Sequence, residues 1–206
     1  MSAALVLQSP APAQHLFLLF HGVGATPQDL VALGNRLARE FPDSAVVSVP
    51  GPDRSDFGAG FQWFSVMGVT EENRPARVAA TLERFVQTVR DWQQRTGVGP
   101  EATTLVGFSQ GAIMALAAAQ SPQPPAARVV SLSGRYSELP RAAPQGVRLH
   151  FIHGTADAVI PVAHAQQAER ALQALGAEVT LDLVAGLPHG IDRSAEDLLV
   201  QRLRQR

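Results

Sequence analysis

The chain of 206 residues contains no cysteine and no lysine, and it has a single tyrosine. Without cysteine there can be no disulfide, no thiolate nucleophile and no cysteine-ligated metal. Without lysine, a P-loop lysine, a Schiff-base lysine and a Ser-Lys dyad are all excluded. Charge is also sparse: 17% of residues are charged and the formal net charge is −1. A chain so close to neutral does not steer nucleic acid or an anionic membrane over long range. The opening MSAALVLQSPAPAQ lacks the basic and long apolar regions of a signal peptide. The apolar run His15 to Phe20 falls far short of the ~20 residues that a membrane span needs. These absences lead to the expectation of a cytoplasmic protein with neither a nucleic-acid partner nor a stable membrane association, and a homodimer is left open. Arginine and alanine in place of lysine suggest a GC-rich bacterial genome.

What the chain does have is 46% hydrophobic residues, enough for one globular domain, expected over residues 1–206. Apolar runs alternate with helical patterns. Leu5 to Leu7, Leu16 to Phe20, Ala45 to Val49, 103–107, 128–132, 147–152 and 178–184 read as strands. Helices are expected near Pro27 to Phe41, Pro75 to Arg95, 110–119, 162–175 and 192–203. In the second of these, Val78, Leu82, Phe85, Val89 and Trp92 fall along one stripe. The segment Gly51 to Gly68 has no period and reads as a loop. Alternation of this kind implies an α/β fold: a mostly parallel sheet with helices on both faces and no large lid domain. Ligands then bind at the carboxyl ends of the strands.

Gly107-Phe108-Ser109-Gln110-Gly111 stands where a strand turns into a helix. Glycine two residues to either side removes side chains that would collide on a very sharp bend, and the serine hydroxyl is left standing above the sheet. The simpler role of helix N-cap would not require Gly107. A serine hydroxyl needs a base. Among the six histidines, His189 lies in the loop Gly186-Leu187-Pro188-His189-Gly190 after a strand, at the same sheet edge as Ser109. His150 and His153 are three apart on a strand, face opposite sides and make a poor metal pair. The base needs an orienting acid. Asp157 follows a strand in HGTADAVIP, whereas Asp182 lies inside a strand and Asp192 is explained as a helix cap. The order Ser109, Asp157, His189 is the chain order of α/β-hydrolases.

An acyl-transfer site also needs donors for the developing oxyanion. The backbone N–H of Gln110 is one candidate and that of Val23, in the loop FHGVGAT, is the other. A dinucleotide fingerprint in that loop fails at Pro27, where glycine or alanine is required. His21 is expected to pack and to hydrogen-bond the loop. Trp63, Phe64 and Met67 either wall an acyl site or merely cover the sheet edge. No metal and no cofactor is expected.

The pieces FHGVG, QWFSV, GFSQGA, HGTADAVIPV and GLPHGI run in order through most of the chain. Together they resemble the phospholipase/carboxylesterase branch of the α/β-hydrolases, relatives of the acyl-protein thioesterases. The resemblance implies a Ser109–Asp157–His189 triad and an oxyanion hole from Val23 and Gln110. Phe20 stands where leucine is usual, and Leu187-Pro188 precedes the histidine. Both departures bear on the pocket and not on the chemistry. The expectation is a serine carboxylesterase acting on small, short-acyl, small-molecule esters. Lysophospholipase, acyl-protein thioesterase and a catalytically silent binding module are the alternatives.

Overall fold

A computed structural model describes residues 3–205. A seven-stranded sheet forms from β1 (Leu5–Gln8), β2 (His15–Phe20), β3 (Ser44–Val49), β6 (Thr103–Phe108), β7 (Arg128–Leu132), β8 (Arg148–Gly154) and β9 (Val179–Val184), in the spatial order β1-β3-β2-β6-β7-β8-β9. Only β1 runs antiparallel to its neighbour. Among the described residues there are five α-helices: α1 (Val31–Glu40), α2 (Arg74–Thr96), α3 (Gln110–Ala119), α4 (Ala163–Ala174) and α5 (Arg193–Arg204). None is long and apolar enough to cross a membrane.

Side-chain alternation divides the core in two. Leu16, Leu18 and Phe20 of β2 point to the layer built by α2, α3 and α4, with Phe85, Met114 and Leu172. Phe17 and Leu19 point the other way, against Leu33 and Leu37 of α1 and Leu199 of α5. Strands buried on both faces are continuous apolar runs for this reason. Helix α3 is apolar all round and buried nearly throughout, as a helix at the centre of a layer must be.

Three segments differ from the sequence-based expectation. The helix expected from Pro27 begins as a 3-10 turn over Pro27–Leu30, and α1 proper starts at Val31. The segment Gly51 to Gly68 is not wholly irregular. It carries a two-stranded hairpin, β4 (Asp53–Arg54) with β5 (Phe61–Gln62). Two residues per strand are too few for a period to show. The strand expected to end at residue 152 continues as β8 to Gly154, which takes His153 into the sheet. Two C-terminal arginines pair with acidic side chains. Arg202 makes two 2.7 Å bonds to Asp182 and Arg204 pairs with Glu40. Arg206 lies outside the described residues.

Two histidines at the amino end of the sheet contribute to the response to acid. His15 bonds Thr104 Oγ1 and His150 bonds Thr180 Oγ1. Burial, reinforced by the positive charge of Arg128, lowers both from the ordinary 6.5 to about 4. The folded state therefore keeps them neutral while the unfolded chain protonates them below about 6.5. Their stabilising contribution is complete above pH 6.5 and is lost as pH falls towards 4, by roughly 3 kcal/mol each at most. We expect the urea midpoint to drop between pH 6.5 and 4, and to drop less in a His15→Gln/His150→Gln variant. A midpoint unchanged over that window in the native chain would contradict this assignment.

Candidate active site

Ser109 sits between β6 and α3 with φ 53° and ψ −115°, a backbone conformation that L-residues rarely adopt. The neighbours explain how the bend is tolerated. A Cβ at position 107 would lie 2.4 Å from Ala112 N, and one at position 111 would lie 2.2 Å from Phe20 O. Glycine at both positions lets the elbow close onto α3 and β2. Ser109 N–H donates to Leu132 O of the next strand, so the bend is also tied to the sheet.

The loop carrying His189 is brought in by the end of β8. Gly154 permits the approach, because a Cβ there would meet Leu187 O at 2.1 Å. Ala156 N–H donates to the same carbonyl, and Gly186 N–H donates to Thr155 Oγ1. His189 packs on Phe108 with ring centroids 5.0 Å apart.

The structure brings Ser109, His189 and Asp157 into one hydrogen-bonded line. Ser109 Oγ lies 2.9 Å from His189 Nε2, and His189 Nδ1 lies 2.8 Å from Asp157 Oδ2. A carboxylate only accepts, so Nδ1 carries the proton and Nε2 presents its lone pair to the serine O–H. The other carboxylate oxygen, Oδ1, accepts from Val159 N–H and Ile160 N–H, each at 2.9 Å. Burial by itself would raise the pKa of Asp157. The His189 bond and the two amides outweigh it and hold the carboxyl below its ordinary value.

His153 is the residue that the sequence reading missed. Its ring is buried, with Nε2 2.8 Å from Ile160 O and 3.3 Å from Asp157 Oδ2. Both partners are acceptors, so Nε2–H donates. Burial holds the ring's pKa below the ordinary value despite these partners, and Nδ1 finds no partner among the described residues. The signal was the spacing His153-Gly154-Thr155-Ala156-Asp157, which puts this histidine at the strand end directly before the acid.

Of the two residues expected to supply oxyanion donors, Gln110 follows Ser109 directly and Val23 follows Gly22. Gly22 touches the serine itself, since a Cβ there would lie 3.2 Å from Ser109 Cβ. Val23 N–H and Gln110 N–H have no hydrogen-bond acceptor among the described residues. His21 secures the loop as expected. Its Nδ1 lies 2.7 Å from Gly22 O, and its Nε2 accepts from Gly51 N–H at 2.9 Å.

Of the two readings of the aromatic segment, burial favours a cover over the sheet for Trp63 and Phe64. Trp63 is only 2% exposed, and its ring packs edge-on against Phe20 and Phe85 in the core. Phe64 is likewise buried, while Met67 is 60% exposed. Trp63 therefore belongs to the layer beneath the loop and not to a pocket surface, because its indole is drawn inward to donate to His21 O at 3.1 Å. The loop above is folded around Asp56, whose carboxylate accepts from Ser65 Oγ, Gln62 Nε2 and Val66 N–H. A cavity of about 400 Å³ lies elsewhere, lined by Val49, Pro50, Phe61 and Trp92 among others, and touches none of Ser109, His189 and Asp157. No group of three or more metal-ligating side chains occurs among the described residues.

With the elbow, the histidine loop and the loop of Val23 placed, comparison with known proteins decides the family. The profile of the family described as phospholipase/carboxylesterase matches residues 1–199. The chain belongs to that family. It is 50% identical over 200 residues to esterase YpfH of Escherichia coli (strain K12), across 97% of this chain and 86% of that protein. Among solved structures it resembles esterase PE8, with a TM-score of 0.87 and 29% identity over 98% of this chain and 97% of the other. The acyl-protein thioesterase 2 of Zea mays shares the fold, with a TM-score of 0.74 and 19% identity over 98% of each chain. The family and its YpfH-like member make this α/β-hydrolase an ester-hydrolysing enzyme. The bacterial source expected from composition fits the E. coli relative.

Proposed function

We propose that the chain is a cytoplasmic serine carboxylesterase, a single domain over residues 1–206, which hydrolyses small, short-acyl esters through an acyl-enzyme on Ser109. The observation that carries this is the unbroken line Ser109 Oγ–His189 Nε2, His189 Nδ1–Asp157 Oδ2 at 2.9 and 2.8 Å. Ser109 Oγ attacks the ester carbonyl carbon as its proton passes to His189 Nε2. The carbonyl oxygen becomes an oxyanion and is held by Val23 N–H and Gln110 N–H. Collapse of the adduct breaks the bond to the alcohol oxygen, which leaves with the proton from His189. Water, deprotonated by the same nitrogen, then attacks the acyl-serine, and the acid departs as Ser109 regains its proton. Asp157 holds the imidazole in the Nδ1–H tautomer and balances the charge of the imidazolium.

Support for a short acyl group comes from the rim of the site. Trp63 and Phe64 are buried, and Phe61 lines only the cavity that touches none of Ser109, His189 and Asp157. Exposed apolar side chains near the oxyanion loop are Val23 itself and Phe57, whose carbonyl lies 3.5 Å from where a Gly24 Cβ would stand. Met67 is exposed on the same loop as Phe57. Val23 and Phe57 give contact to a few carbons. Each methylene they cover would contribute ~0.8 kcal/mol, about fourfold in kcat/KM. We expect kcat/KM for p-nitrophenyl esters to climb over the first few carbons, peak at short chains and fall by octanoyl. An optimum at decanoyl or beyond would overturn the short-acyl reading in favour of a lysophospholipase or thioesterase. Trp63→Ala is expected to leave the chain-length optimum in place, since the ring is in the core.

A further inference from the structure

The two amides assigned to the oxyanion sit on separate parts of the fold. Gln110 N–H begins α3, and Val23 N–H lies in the loop after β2. Parallel pairing of β2 with β6, with Phe20 opposite Gly107, brings the two strand ends together, but each amide lies three residues beyond that pair. What links the two beyond the sheet is the segment 61–64.

The side chain of Gln110 lies flat against that segment. Its Oε1 accepts from Trp63 N–H at 2.8 Å and its Nε2 donates to Phe64 O at 2.7 Å. The side chain is buried, and both of its polar ends are used. From the same residue, the Trp63 indole N–H donates to His21 O at 3.1 Å. His21 is bonded in turn to Gly22 O and to Gly51 N–H. On the far side of Val23, Gly24 N–H donates to Phe61 O and Phe61 N–H to Ala25 O. This close pairing requires the absence of a side chain at Gly60, where a Cβ would lie 2.0 Å from Gly24 O. Val23 is thus held from both sides by residues 61–63, and the Gln110 side chain is held by residues 63 and 64.

We propose that Trp63 and the side chain of Gln110 are positioning residues: together they form a hydrogen-bonded brace that sets the distance and direction of the Val23 and Gln110 amides before substrate arrives. Oxyanion donors accelerate the reaction only if they are already aimed where the charge will develop. A donor free to swing must be reoriented in each turnover, and a displacement of about 1 Å can cost about 10² in rate. The brace replaces the acyl-wall role for Trp63. It also accounts for a tryptophan whose ring is buried while its N–H reaches the backbone directly before the Gly22-Val23 peptide.

The inference rests on Val23 and Gln110 being the oxyanion donors, and the experiment keeps the two failures apart. Trp63→Phe keeps an aromatic ring and removes the N–H. Phe85→Leu removes packing from the same ring and leaves the brace bonded. We expect Trp63→Phe to lower kcat about tenfold to a hundredfold with KM changed less than about threefold. Affinity for an alkylboronic acid, whose tetrahedral adduct needs the oxyanion donors, should fall in parallel with kcat. Phe85→Leu should lower thermal stability while kcat per folded molecule stays at the wild-type value. Gln110→Met cuts the other end at similar volume and should repeat the Trp63→Phe signature. The double variant should lose less than the product of the two single losses, because both cut one chain of bonds. A Trp63→Phe variant with wild-type kcat beside an inactive Ser109→Ala overturns the brace alone. Equal kcat losses in Trp63→Phe and Phe85→Leu, or strictly multiplicative losses in the double variant, also overturn it. An active Ser109→Ala overturns the site on which the brace rests.

Discussion

Ser109→Ala is expected to lower kcat for ester hydrolysis by roughly 10⁴ to 10⁶ with the fold unchanged. The magnitude follows from what the change removes. Without Oγ there is no covalent acyl-enzyme, and water must attack the ester directly. His189 remains as a base, and the oxyanion amides remain as donors, so some acceleration over water survives. The fold should persist because the strain at residue 109 is in the backbone. Alanine meets the same φ of 53° that serine does, and the close approaches at Gly107 and Gly111 are untouched. The N–H to Leu132 O also remains. The checks are kcat, circular dichroism, and covalent labelling with a fluorophosphonate, which should mark the native chain at Ser109 and leave the variant unlabelled. A folded variant that keeps most of its turnover would remove Ser109 from the mechanism. A native chain that never labels would support a silent binding module on this fold.

The elements legible in the sequence are those whose burial is two-sided or whose geometry admits few residues. Strand β2 could be read directly because both faces are covered and its apolar run Leu16 to Phe20 is unbroken. The sharp bend at Ser109 could be read because two close approaches admit only glycine. Asp182 and Asp192 could be set aside on local grounds, and the structure gives each a different role. Asp182 holds Arg202, and Asp192 caps α5 through Ala195 N–H. What could not be read was the direction taken by a side chain in a segment without a period. Trp63 could be a pocket wall or a cover of the sheet edge in sequence, since nothing in QWFSV says that its indole turns inward. The spacing of His153 invites comparison with His150, when its partner is Asp157, reached only after the chain turns off the end of β8. Both cases concern contacts between residues whose proximity comes from loop geometry, which hydrophobic period does not encode.

Asp157→Asn is expected to lower kcat by about 10⁴, and the carboxylate's surroundings explain why so small a change should cost so much. Oδ1 accepts from two backbone amides, Val159 N–H and Ile160 N–H. An asparagine must keep its carbonyl oxygen there, because turning the NH₂ group towards those amides would set donor against donor. The NH₂ therefore occupies the place of Oδ2 and donates to His189 Nδ1. That moves the imidazole proton to Nε2, where it faces the Ser109 hydroxyl, and the ring can no longer accept the serine's proton. The same NH₂ confronts His153 Nε2–H, which lies 3.3 Å from Oδ2 in the native chain, so some loss of stability should accompany the loss of rate. Asp157→Ala lacks the amide that enforces the wrong tautomer, so it should be no worse in kcat than Asp157→Asn. Asp182→Asn breaks the buried end of the Arg202 pair and Asp192→Asn keeps a capping oxygen, so neither should change kcat per folded molecule. Steady-state kcat with active-site titration, beside a thermal melt of each variant, distinguishes rate from folding. An Asp157→Asn enzyme within tenfold of the native kcat, or a greater kcat loss from Asp182→Asn, would mean that another group orients His189.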